Sequence, residues 1–65
     1  MTPLGKEIKK KLVDREMTQA QLAKQIGTSK VYLSRIMYGS RSGEKYLESI
    51  CTVLNIDPDP YRVSA

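Results

Sequence analysis

A chain of 65 residues with net charge +4 admits a single domain, residues 1–65, with a modest core and no cleft walled by two lobes. One cysteine, Cys51, and no histidine exclude an internal disulfide and leave no zinc site or catalytic base, so no enzymatic activity, metal or cofactor is expected. No apolar run exceeds three residues, which excludes a membrane span or secretory signal and predicts a cytoplasmic protein.

Apolar residues recur at helical spacing throughout, and no alternation is long enough for a strand. The expected fold is all-α, a compact bundle of four to five short helices. Leu4, Ile8 and Leu12 predict a first helix from about Leu4 to Arg15, with Lys6, Glu7, Lys9 and Lys10 turned outward. Pro3 suits its first turn, and Met17 is placed at the junction with the next helix. Thr18 and Gln21 have the T-x-x-Q spacing of a capping box. They open a second helix with Leu22, Ala23 and Ile26 inward, and Gly27 closes it.

Ser29 is the expected N-cap of a third helix, after the short turn Gly27-Thr28-Ser29. At 3.6 residues per turn, Leu33, Ile36 and Met37 share one side. Val31, Ser34, Arg35 and Tyr38 gather on the other, Lys30 projects from the first turn, and Gly39 stops the helix. Ser40-Arg41-Ser42-Gly43 reads as a loop. A fourth helix from about Glu44 to Leu54 buries Leu47, Ile50, Cys51 and Leu54, and Asn55 takes the left-handed cap. Asp57-Pro58 and Pro60 suit the start of a one-turn fifth helix carrying Tyr61.

The charge is unevenly placed. Residues 1–45 hold ten Lys/Arg against four Asp/Glu, a balance of +6, whereas residues 46–65 hold Arg62 against Glu48, Asp57 and Asp59, a balance of −2. A basic front with an acidic back is the electrostatic footprint of a nucleic-acid binder. Two short helices joined by a glycine-containing turn are a helix-turn-helix arrangement.

The order of residues is more specific than the composition. Thr18-Gln19, Leu22-Ala23, Gly27, Ser29, Leu33-Ser34-Arg35-Ile36 and Gly39 resemble the signature of the lambda-repressor and Cro-like family of bacterial and phage regulators. Ile8 to Leu12, leading to Met17-Thr18-Gln19, resembles a common first helix of that family, and the likeness spans roughly residues 4–57. It implies a lambda-repressor-like domain with the helix-turn-helix at helices 2 and 3, double-stranded DNA as partner, and helix 3 in the major groove. Carried over by position, Lys30, Val31, Ser34 and Arg35 face bases. Lysine and arginine donate to guanine O6 and N7, and a valine methyl packs on a thymine methyl. Gln19, Thr28, Ser29, Tyr32, Tyr38, Ser40 and Arg41 become candidates for the DNA backbone, where contacts position without reading sequence. Ser29 and Thr18 also have a purely structural use as helix caps, and Tyr32 one as cover for the core edge.

There are departures from the family pattern. Glu16 stands where glycine is frequent, and Met37-Tyr38 stand where Glu-Asn is frequent; both are expected to alter local contacts only. The fifth helix, which many relatives use for dimerisation, is barely present. A homodimer is therefore expected to form mainly on DNA, through Tyr61, Val63 and the face around Ile56. The expected function is that of a small transcriptional regulator, a repressor or Cro-like protein of a phage or other mobile element, with no membrane or small-molecule partner. A protein-interaction or antitoxin-like module on the same fold is the alternative, with the acidic back and Tyr61 as its surface.

Overall fold

The computed structural model describes residues 1–62, and Val63 lies outside the described residues. Four α-helices follow in chain order: α1 (Pro3–Asp14), α2 (Gln19–Ile26), α3 (Lys30–Tyr38) and α4 (Leu47–Leu54), followed by a 3-10 turn at Asp59–Tyr61. There is no strand among the described residues.

Each helix buries the stripe that its spacing predicts. Leu4, Ile8 and Leu12 of α1 meet Leu22, Ala23 and Ile26 of α2, Leu33, Ile36 and Met37 of α3, and Leu47, Ile50, Cys51 and Leu54 of α4. Ile8, Leu22, Leu33, Met37, Ile50 and Leu54 are fully buried, each worth about 1.5–3 kcal/mol relative to exposure. Ile56 is buried in the same core. It is therefore spent on folding, and the face around it is not the free apolar surface expected for self-association.

The helix starts rest on side-chain caps. Thr18 and Gln21 form both halves of the capping box: Gln21 N–H donates to Thr18 Oγ1 at 3.1 Å and Thr18 N–H to Gln21 Oε1 at 2.8 Å. Ser29 Oγ accepts from Tyr32 N–H at 3.1 Å. Helix α1 starts one residue earlier than its apolar stripe predicts. Thr2 Oγ1 accepts from Gly5 N–H at 2.9 Å, and Pro3 holds the first helical position. The fourth helix begins at Leu47 rather than Glu44. Residues Glu44-Lys45-Tyr46 form turns, Tyr46 N–H bonding Gly43 O at 3.0 Å, and no side chain caps Leu47. Expected Asp57 capping holds in part: its carboxylate accepts from Asp59 N–H at 3.1 Å, ahead of the 3-10 turn.

The ends share one device. Glu16, Gly27, Gly39 and Asn55 all take left-handed backbone after α1, α2, α3 and α4, with φ of 53°, 82°, 88° and 56°. The next amide then reaches back five residues, as in Met17 N–H to Leu12 O, Thr28 N–H to Ala23 O, Ser40 N–H to Arg35 O and Ile56 N–H to Cys51 O. Carbonyls that a helix end would leave bare are satisfied in this way.

Candidate nucleic-acid interface

Helix α3 owes its exposed face to the same periodicity that builds its buried one. With Leu33, Ile36 and Met37 committed to the core, Val31 and Tyr38 are 62% and 61% exposed, and Lys30 and Arg35 are exposed with them. An exposed valine and tyrosine on a helix that already has a full apolar stripe contribute nothing to the core. Ser34 is half-buried.

The turn Gly27-Thr28-Ser29 brings the start of α2 against this face. Gln19 joins Lys30, Val31, Ser34 and Arg35 in lining one open concavity of about 420 Å³. The capping box engages the amide of Gln21 and leaves those of Gln19 and Ala20 at the helix start without intrahelical partners. Such a start carries partial positive charge and favours an anion. The ion pairs among the described residues join Arg62 to Glu48 at 2.8 Å and to Asp59 at 3.3 Å. Lys30, Arg35 and Arg41 thus have no carboxylate partner among the described residues, and their charge faces outward.

The predicted residues do not all lie in one place. Tyr38, Ser40 and Arg41 are exposed at the far end of α3 and in the loop after it. Arg41 and Gly39 border a different groove, with Thr2, Leu4, Ile36 and Tyr61. Ser29 is exposed and Thr28 half-buried at the turn, with the Ser29 hydroxyl already engaged as a cap. Tyr32 is half-buried, packs against the core and meets Tyr46 edge-on, with ring centroids 5.6 Å apart and planes at 72°. Its ring supports a flank of α3 and does not line the Gln19 concavity.

Two supports of α3 were not found from sequence. Tyr46 is one; nothing in its local pattern marks it as the neighbour of a residue fourteen positions earlier. Thr2 is the other. Its hydroxyl donates to Met37 O at 3.0 Å, and its amide donates to the same carbonyl at 3.0 Å. The Thr2-Pro3 pair ahead of Leu4 is a legible N-cap signature, but its second use, on another helix, is not.

Among the described residues, no group of side chains could hold a metal ion, and no helix is long and apolar enough to cross a membrane. No curated protein and no solved structure matches the chain significantly. The family model for the Cro/C1-type helix-turn-helix matches residues 8–61, which takes in α1 from Ile8 onward, all of α2, α3 and α4, and the whole of the concavity. The chain therefore belongs to the Cro/C1-type, lambda-repressor-like helix-turn-helix family of DNA-binding regulators.

Proposed function

We propose that the protein reads a specific duplex sequence with α3 and acts as a repressor or Cro-like regulator. The observation that carries this reading is the outward face of α3. Lys30, Val31, Ser34 and Arg35 converge with Gln19 on one concavity, and both cations there lack a carboxylate partner among the described residues. In this reading Lys30 and Arg35 donate to base edges, Val31 packs on a thymine methyl, and Ser34 lies beside them. The start of α2 holds a phosphate through Gln19. Thr28, Ser29, Tyr32, Tyr38, Ser40 and Arg41 serve the DNA backbone, with Tyr32 contributing through its position on the α3 flank.

Self-association follows the same logic. A family member reading two half-sites about one helical turn apart pairs by a two-fold axis. Among the described residues of the expected contact face, Ile56 is buried and Tyr61 half-buried, which leaves little free apolar surface there to hold a dimer together without DNA. The protein is then a monomer at micromolar concentration and pairs on its site. Sedimentation showing a tight dimer in the absence of DNA contradicts this.

The protein-interaction alternative loses support from the acidic back. Glu48 and Asp59 are already paired with Arg62, and Tyr61 packs on the core. The decisive experiment is selection of bound duplexes from a random pool, followed by affinity measurements across a salt series. The regulator reading expects a recovered half-site and log K falling linearly with log salt. No measurable duplex binding at low salt sinks it.

A further inference from the structure

The recognition helix is held differently at its two ends. At its start, α3 is tied to α2 by a three-residue turn and by the Thr28 amide on Ala23 O at 2.9 Å. At its finish, the amides of Gly39, Ser40 and Arg41 bond Arg35 and Ile36. Those bonds close the helix on itself and do not attach it to the rest of the molecule.

Beside the burial of Ile36 and Met37 in the core, the polar attachment comes from Thr2. An N-cap needs only a lone pair, which Thr2 Oγ1 lends to Gly5 N–H. The donor side of the same hydroxyl, and the Thr2 amide as well, are spent on Met37 O in the last turn of α3. One residue therefore starts α1 and fastens the end of α3. Gly5 lets the two come this close, because a Cβ there would overlap the Met37 carbonyl. Glycine inside a helix is otherwise unfavourable relative to alanine, so its presence marks the contact. Thr2 also lies against Gly39.

Resting on the DNA-reading function proposed above, we infer that Thr2 is a positioning residue for DNA recognition: its hydroxyl and amide set the angle at which α3 presents Lys30, Val31 and Arg35. Met37 lies about 9 Å along the axis from Val31, at 1.5 Å per residue. Movement of that end tilts the base-facing side chains on a lever about two-thirds as long as the helix. Base contacts depend on placement to within about 0.5 Å, whereas attraction to phosphates tolerates a tilt. Thr2 thus acts on sequence preference and leaves the non-specific attraction alone.

The test uses Thr2→Val, which keeps the amide and the branched shape but loses the hydroxyl, and Thr2→Ser, which restores it. Affinity is measured for the selected site and for a scrambled duplex, and the readout is their ratio. Partial unfolding lowers both affinities by the same factor and cancels in that ratio, so a role confined to stability does not move it. Thr2→Val should reduce the ratio about tenfold, the order of one good base contact, with an unchanged salt slope. Thr2→Ser should stay within about twofold of the parent. An unchanged ratio in Thr2→Val, or an equal loss in Thr2→Ser, overturns the inference while the DNA-reading function stands. A parent protein with no preference for any duplex removes both. If Thr2→Val does not fold, amide exchange in the parent decides: the Thr2 amide should exchange at least tenfold more slowly than in the unfolded chain. An unprotected amide shows that the fastening is absent.

Discussion

Glu16 occupies a backbone conformation that suits glycine. Its φ of 53° closes α1 in the way Gly27 closes α2, but a side chain in left-handed backbone places its Cβ against the following carbonyl, at a cost of roughly 1–2 kcal/mol. Part of that is recovered because glutamate has less backbone freedom to lose on folding than glycine. Glu16→Gly should therefore raise stability by up to about 1 kcal/mol, which for a domain of this size is several degrees in Tm. Calorimetry showing a lower Tm would mean that the Glu16 side chain contributes more than its backbone costs. The two arginines of the α3 region make a second prediction at this scale. Arg35 is exposed on the outward side of α3, proposed above to face bases, and Arg41 is exposed in the loop beyond Gly39. A bidentate base contact carries ~1–3 kcal/mol of discrimination, while a phosphate contact weakens all sequences alike and contributes roughly one to the salt slope. Arg35→Ala should lose affinity mostly for the selected site and become tolerant at one base pair. Arg41→Ala should lose affinity for selected and scrambled duplex together. Retention of full site preference by Arg35→Ala removes base reading from α3.

Each helix here is eight to twelve residues long, too short to persist alone in water. Caps therefore matter as much as packing. The reciprocal bonds of Thr18 and Gln21 satisfy two backbone amides at the start of α2, and the same turn presents Gln19 to the concavity. Thr18→Ala should cost about 1 kcal/mol. In urea the midpoint falls while the slope stays that of the parent, because the folded state buries the same surface. An unchanged midpoint would mean that α2 does not depend on its cap. The loss should appear in stability first and in DNA affinity only near the unfolding range, since Thr18 itself lines no part of the concavity.

A molecule this small buries only about 60% of the surface its unfolded chain exposes, so each ionisable group inside it bears on the whole. Cys51 is 3% exposed within the core. Burial pushes its thiol above the ordinary value of 9.0, against a smaller downward pull from Arg62. A group that holds its proton more tightly when folded gives it up first in the unfolded chain. Between pH 9.0 and the raised native value, unfolding therefore releases a proton, and stability falls as pH rises. Below pH 9.0 the thiol is protonated in both states and contributes no slope. Urea unfolding from pH 7.5 to 10.5 should show a steeper alkaline decline in the parent than in Cys51→Ala, whatever the offset between them. Parallel profiles would place the thiol in contact with solvent.

The amino-acid sequence by itself determined the elements and their faces. Caps such as Thr18 and Ser29, closing residues such as Gly27 and Asn55, and stripes such as Leu33-Ile36-Met37 act within one or two turns, where local sterics and periodicity suffice. The outward set of Lys30, Val31 and Arg35 was legible for the same reason, since fixing the buried side of a helix fixes the other. The start of α4 was misplaced because Glu44 and Lys45 suit a helix by propensity. The local turn closed on Gly43 and the docking of Tyr46 beside Tyr32, fourteen positions away, decide that boundary. Ile56 likewise reads as a free apolar residue until the core closes over it. The bond of Thr2 to Met37 spans thirty-five positions. Hydrogen-bond donors carry no mark of a partner so distant, so only the packing of α1 against α3 could decide which carbonyl Thr2 would find.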